Sequence, residues 1–487
     1  MILGSNASRG EARKDGRSIK AAGKAAGKAA GKAVGEAVGW CLTFGLLGLF
    51  GLVAVAASGS SSPGEPMRLT LDEAVRAALE RSPDIITADR EIAAAVASRQ
   101  GARALLLPKL NLGSQVAVFT HSLGFSIPGS PPEAPQLEMR GHLTWSMTAQ
   151  IVQPLSLWGI YEAYKIKDLG VDVARVQQQI VRRDTSFRVT QAFFRLLQAR
   201  SLADVAAKSV EQVRAQVARA KALEGQGVVG HNDVLRAELG LAAAEQRHIQ
   251  AGGQVTLAAS ALALTIGFSP DVAIDPTFVE GEPVAEIVAL EQAEDSAVAH
   301  RAELVEIDVR LRQASAGINA AKSMLTPQVG VALTYQHSAG SAFAEADSWF
   351  VGGSVSWDVW DWGARHYGID EAKARRQQVL VVRDKVRDAL RLEVRSAWIG
   401  ATTAAQALAV ARQAEVAATE NFRIESSRYE SAASTSFDVL DAETQLTWAR
   451  AQVLTAHYEY LIARAALSRA TGQPVAGQSQ SMREVVQ

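Results

Sequence analysis

Two hydrophobic periods divide this chain. Just after Pro108 and again after Pro327, apolar residues fall at every second position. Leu143, Trp145, Met147, Ala149 and Ile151 alternate with Thr144, Ser146, Thr148 and Gln150. Val329, Val331, Leu333 and Tyr335 alternate with Gly330, Ala332, Thr334 and Gln336, and Val351, Val355, Trp357 and Val359 with Gly352, Ser354, Ser356 and Asp358. A fourth, weaker segment runs from Leu110 to Phe119. Alternation over about nine to eleven residues predicts strands of the length that crosses a bilayer at a tilt.

Elsewhere the apolar positions recur at threes and fours, as at Val189, Phe193, Leu196, Leu197 and Leu202, which predicts helices packed on helices. No proline lies between Pro154 and Pro270 or between Pro327 and Pro474, and both stretches are rich in Ala, Leu, Arg, Glu and Gln. Strong helix formers without a breaker predict long helices. Gly159 to Gly225 alone offers ~100 Å of helix at ~1.5 Å per residue. Gly225-Gln226-Gly227-Val228-Val229-Gly230 interrupts the pattern, which resumes near Asn232, and Ser431 to Thr435 does the same further on.

The two halves are copies. Trp158-Gly159 matches Trp362-Gly363 at a separation of 204, Asn232 to Glu238 matches Phe437 to Glu443 at 205, and Gly267 matches Gly472 at 205. Leu106-Leu107-Pro108 matches Leu325-Thr326-Pro327 at 219, so the first copy carries the longer insertion, the Pro/Gly/Ser-rich Thr120 to Gly141, expected as an exposed loop. Each half reads as helix, β-hairpin, very long helix, tight tip and returning helix. The first repeat covers residues 68–267, with its hairpin at 110–152 and tip at 225–231; the second covers 284–473, with its hairpin at 329–359 and tip at 431–436. A linker (268–283) joins them, and a tail (474–487) follows.

Six of the nine tryptophans, Trp145, Trp158, Trp349, Trp357, Trp360 and Trp362, lie in or beside the strand segments. That clustering is expected of an aromatic girdle at a lipid boundary. Alternation alone would also suit two soluble hairpins packed on helices. If the hairpins enter lipid, four strands are too few to close a barrel, and open edges are not tolerated there. An oligomer must then share one barrel, and three chains would supply twelve strands.

Composition narrows the class. A chain of 487 residues, 48% hydrophobic and 21% charged, is not disordered. A mean hydropathy of +0.03 excludes a polytopic helical membrane protein. The one long apolar run, Trp40 to Ala57, follows basic residues and a GKAAGKAAGKAVGEAVG echo and ends in Ala54-Val55-Ala56. Basic, then apolar, then small is the order of an export signal, so residues 1–57 are expected to be a basic segment and signal peptide, with an uncleaved anchor as the alternative. The single cysteine, Cys41, lies in that run and excludes a disulfide framework. The net charge of −1 advertises no nucleic-acid face. The eight histidines, at 121, 142, 231, 248, 300, 337, 366 and 457, have no metal-ligand spacing, and no Gly-x-Ser-x-Gly elbow or phosphate-binding loop is present. No enzyme is read here, and no cofactor or metal is expected.

In this order, and in duplicate, the motifs resemble the TolC family of outer-membrane efflux proteins. The matching residues are Leu69-Thr-Leu-Asp-Glu-Ala-Val-Arg-Ala-Ala-Leu, Leu105-Leu-Leu-Pro-Lys-Leu, and Arg428-Tyr429 followed by Asp438-Val-Leu-Asp-Ala-Glu, within residues 68–473. The resemblance implies a mainly α fold with a β-barrel portion: a helical coiled-coil tunnel and four transmembrane strands per chain, closing a shared twelve-stranded barrel in a homotrimer. It implies an exit duct in the outer membrane of a Gram-negative bacterium, bedded in outer-membrane lipid and docked at its periplasmic tips by an adaptor and an inner-membrane pump. Drug efflux, metal efflux and type I protein secretion share this architecture. The runner-up is a soluble periplasmic coiled-coil adaptor or scaffold.

Candidate functional residues follow from the same match. Asp438 and Asp441, three apart, share a helix face and would form two stacked carboxylate rings in a trimer, attracting cations and repelling anions. Asp233 is expected to hydrogen-bond Tyr429 in a closed tip. Caps on the first turns of their helices would explain Asp233 and Asp438 equally well. Gly227, Val228, Ala432 and Ala433 are the expected adaptor contacts. Ala432 stands where the family usually has a second tip glycine, and Ser434 where some members have a basic residue.

Overall fold

The computed structural model describes residues 67–125, 129, 131, 137–277, 287–342, 345–431 and 433–474. The predicted signal segment (1–57), the end of the linker and nearly all of the tail lie outside them.

The first repeat opens with β1 (Met67–Leu69), α1 (Leu71–Arg81) and α2 (Pro83–Ala104). Three strands follow, β2 (Lys109–Val118), β3 (Leu123–Phe125) and β4 (Leu137–Pro154), then α3 (Leu157–Gly225) and α4 (His231–Ile266). After β5 (Ile274–Pro276) the second repeat runs through α5 (Leu290–His300), α6 (Ala302–Ser323), β6 (Gln328–Ser341), β7 (Asp347–Ser356), α7 (Ala364–Glu430) and α8 (Ser436–Ala470). The copies agree in length: 11 and 11 residues for α1 and α5, 22 and 22 for α2 and α6, 69 and 67 for α3 and α7, 36 and 35 for α4 and α8.

The strands form one antiparallel sheet in the order β2-β4-β6-β7, with β3 as an extra partner of β4. Its register stacks the alternating sets. Val116 faces Trp145, Leu112 faces Ala149, Leu333 lies between Ile151 and Val351, and Val329 faces Val355, all on one side. The other side carries Asn111, Gln115, Ser146, Thr148, Gln150, Thr334, Gln336 and Ser354, with Gln150 donating to the Thr334 hydroxyl at 3.2 Å. Both sides remain open within the chain, and the apolar one includes exposed Leu110, Leu112, Val116, Val351 and Val355.

Three sequence expectations change here. The insertion expected as a loop contains β3, which pairs with Leu137–Arg140 and lengthens the first hairpin. The second hairpin closes at Ser356, short of Val359. There Trp357 turns its indole N–H to the Leu325 carbonyl (3.2 Å), and Trp362 (φ 56) and Gly363 (φ 86) turn the chain into α7. Asp361 receives the amides of Gly363 and Arg365, both at 3.1 Å, at that turn. The linker is anchored by β5, whose Ile274, Asp275 and Pro276 pair in parallel with Met67, Arg68 and Leu69.

The largest core lies around that anchor: Val75 and Ala78 of α1, Val189, Phe193 and Leu196 of α3, Leu262 and Ile266 of α4, and Ile274. Beside it runs a charge network joining the repeats. Arg301, its side chain only 3% exposed, bonds Glu303 and Glu393 (2.8 Å each) and donates to the Arg469 and Ala470 carbonyls at the end of α8. Arg183 of α3 reaches Glu303 (2.8 Å) and Asp184 (2.9 Å), and Arg469 reaches Glu393 (2.6 Å). Burial alone would raise the Glu303 pKa, but hydrogen bonds from Arg183 and then Arg301 hold it at about 2.

Both repeats end on a left-handed glycine pressed against the end of their own first helix. A Cβ on Gly267 (φ 101) would lie 2.6 Å from the Arg81 carbonyl oxygen, and one on Gly472 (φ 75) would lie 3.0 Å from the His300 Cβ. Gly267→Ala combines a disfavoured backbone with a backbone clash, so a loss of about 2 kcal/mol or more is expected in denaturant unfolding of the solubilised protein. A depressed carboxylate pKa gives stability that is complete above the unfolded value and lost as pH falls through the folded one. Acid unfolding of the wild type should therefore show a Glu303-dependent loss between pH 4.5 and about 2, absent from Glu303→Gln.

Candidate functional site at the helical tips

The two tips are built alike. At the end of α3 the Gly227 amide donates to the Glu224 carbonyl (2.8 Å) and the Val228 amide to that of Leu223 (3.0 Å). Gly227 sits at φ 73, the left-handed geometry that closes a helix in this way. At the end of α7 the Ala433 amide donates to Arg428, again five residues back, at 2.8 Å. Ala432 lies outside the described residues. Val228 and Ala433 are exposed at the turns. His231 closes the first tip by a hydrogen bond between its Nδ1 and Glu224 (2.8 Å), and Arg219 ties α3 to Glu430 of α7 (3.1 Å).

The returning helices start differently. Thr435 caps α8: its hydroxyl and amide meet the Asp438 carboxylate at 2.7 and 3.0 Å, while the Asp438 amide returns to the hydroxyl at 3.4 Å. The Thr435 amide, then its hydroxyl, with help from Ser434 and Arg428, hold the Asp438 pKa below the ordinary carboxylate range. Asp438 thus performs the capping role weighed for it. Asp441, one turn on, shares its exposed face and accepts from Gln445 at 2.6 Å. At the equivalent place on α4, the cap residue is Gly230, which has no side chain to engage Asp233.

Asp233 crosses instead to the other repeat, where the Ser436 hydroxyl donates to its carboxylate at 2.8 Å. The expected Asp233–Tyr429 bond is not made. Tyr429 is 2% exposed, and its hydroxyl has no hydrogen-bond partner among the described residues. Burial, and then the nearby Asp233 charge, raise its pKa. Asp233, Tyr429 and Ser436 share a cavity of about 240 Å³ with Leu223, Val228 and Ser434. Asp233, Tyr429, Asp438, Gly227, Val228 and Ala433 therefore gather at one end of the helices, with Asp441 one turn away.

The six strand-associated tryptophans occupy the opposite end, in two groups. Trp145, which donates to Ser114 (2.9 Å), and Trp349, 4.7 Å from the Tyr335 ring, sit at the far end of the sheet. Trp158, Trp357, Trp360 and Trp362 cluster where strands pass into α3 and α7, with Trp360 and Trp362 edge to face at 5.7 Å. Trp357 lies eight positions beyond Trp349, or ~26 Å of strand, which at the ~40° tilt of barrel strands spans ~20 Å of the ~25 Å apolar band of membrane barrels.

With sheet and helices in place, the comparisons with known proteins decide the class. The sequence matches the outer membrane efflux protein family over residues 74–267 and 294–473. The chain belongs to that family. Its residues are 23% identical to the outer membrane efflux protein BepC of Brucella suis over 308 residues, 62% of this chain and 67% of that one. Its fold matches the outer-membrane channel OprN (TM-score 0.69, 20% identity, 84% of this chain and 90% of that one). It also matches the CmeC outer-membrane channel of Campylobacter jejuni (TM-score 0.71, 15% identity, 85% and 88%). The protein is an outer-membrane efflux protein, and the reading as a soluble scaffold falls with that membership.

Thr435 and Ser436 were not singled out from sequence. Thr435-x-x-Asp438 was legible as a capping pattern, whereas nothing local marks Ser436, whose partner lies 203 residues away. Thr435→Ala removes the cap hydroxyl and should cost ~1 kcal/mol. Faster amide exchange confined to the first turns of α8, with the sheet unchanged, is the expected signature.

Proposed function

We propose that this chain is the exit duct of a tripartite efflux system and works as a homotrimer, its twelve strands closing one barrel in the outer membrane. One observation carries the reading. The sheet has an apolar side, a polar side and two free edges, β2 and β7, of 10 residues each, and it continues directly into helices of 67 and 69 residues. Lipid does not tolerate unpaired edges, and pairing β7 of one copy with β2 of the next closes the outer edges of the four long strands. The apolar side then meets lipid, with the tryptophan groups at its two boundaries, and the polar side lines the pore.

The helices support the same assembly. Leu239, Ile249, Leu257 and Leu264 of α4, and Val381, Leu392, Ile399 and Val410 of α7, are exposed in the single chain. By length and hydropathy α4 would pass for a membrane span; neighbouring copies in a helical tunnel cover it as well as lipid would. An inner-membrane pump and a periplasmic adaptor act at the tips, with Gly227, Val228, Ala432 and Ala433 as the adaptor contact. The duct conducts passively, and the tips gate it. A role in type I secretion would use the same duct.

Asp438 and Asp441 ring the entrance in this reading, with unequal duties, because the Thr435 cap engages Asp438. In planar bilayers the purified protein should give cation-selective channels. Asp441→Asn should lower the cation-to-anion permeability ratio without altering tip stability, whereas Asp438→Asn should disturb both. Selectivity indifferent to both changes would move the filter elsewhere, and no insertion by folded protein would overturn the duct.

A further inference from the structure

The two tips began as copies, so a difference between equivalent positions isolates what each residue does. Gly230 and Thr435 are equivalent, as are Asp233 and Asp438, at a separation of 205. With threonine at the cap, the aspartate at the third helical position is held in its own first turn. With glycine at the cap it is released. Ser436 is 1% exposed, and the cap of its own helix is already complete through Thr435, so its hydroxyl is available to reach across to α4. In the same cavity the buried Tyr429 hydroxyl has no partner among the described residues. A buried hydroxyl without a partner carries an unrecovered desolvation cost. It therefore gains whenever an acceptor becomes available to it.

We infer that Asp233 is a carboxylate with two competing hydroxyl partners, and that Ser436 sets the tip by holding Asp233 away from Tyr429. The two arrangements differ in which elements they join. The Ser436 bond links the starts of the two returning helices, α4 and α8. A Tyr429 bond would link α4 to the end of α7 and satisfy the orphan hydroxyl. Ser436 is thus a positioning residue of the gate: it biases the tips toward the arrangement in which the Asp233–Tyr429 latch is unmade.

The inference rests on the tips being a gate, so its test uses two readouts. Single-channel recording in planar bilayers compares wild type, Ser436→Ala and Ser436→Ala/Tyr429→Phe. Removing one competing hydrogen bond should shift the closed-to-open ratio toward closed by about fivefold in Ser436→Ala. The double variant, with neither hydroxyl, should return toward wild type. A Ser436→Ala channel that gates like wild type, or a double variant as closed as the single, overturns the inference. Thermal melting of the detergent-solubilised protein reads the same competition without a channel. Ser436→Ala should lower the melting temperature less when Tyr429 is present to take over the carboxylate than when it is Phe. Equal shifts in the two backgrounds overturn the partner exchange itself, whereas coupled melting with unaltered gating would keep the exchange and remove only its role in the gate.

Discussion

A peptide group in lipid has no water to fall back on, and the outer-membrane part of this chain is arranged around that constraint. Within one chain the sheet satisfies the inner strands β4 and β6 on both sides and leaves β2 and β7 each with one bare edge. A sheet with bare edges in a bilayer demands a neighbour. From that demand follow the proposed ring of copies and the segregation of apolar and polar sides through the register. The duplication serves it economically: each repeat supplies one hairpin, one long helix and one returning helix.

Long helices bring a second problem, because a two-helix hairpin of this length has little to fix its register. The structure concentrates its fixing points in one zone. The core around Phe193 and Ile266, the parallel pairing of β1 with β5, and the network of Arg183, Arg301, Glu303, Glu393 and Arg469 all join segments far apart in sequence. The network includes a nearly buried arginine, and removing one partner of such a cluster costs more than the cluster contributes over apolar packing.

Much of this was legible in the chain. Alternation located the strands and the side each residue takes, because a period of two survives any tertiary context that keeps a sheet. Proline-free, alanine-rich stretches located α3, α4, α7 and α8, and the repeat offsets paired them. What was not legible depends on contacts between distant segments. β3 hid in a Pro/Gly-rich insertion, where composition argues for a loop. β7 ended early because the Trp362-Gly363 turn and the Trp357 indole bond redirect the chain. At the tip, the family resemblance paired Asp233 with Tyr429, but the chosen partner, Ser436, depends on a hydroxyl left spare by a cap elsewhere. The charge network escaped notice because its members are scattered from Arg183 to Arg469 and none carries a local signature.

The anchored zone and the tips are separated along one continuous helix. From Arg183 to Gly225 α3 runs 42 residues without a break, or ~63 Å at ~1.5 Å per residue. Such a rod is a lever with its fulcrum among buried ion pairs. A tilt of one degree at the fulcrum sweeps the tip by ~1 Å, so a few degrees displace it by more than the span of a hydrogen bond. Displacements too small to disturb packing around Phe193 are thereby amplified into the distance over which a carboxylate changes partners.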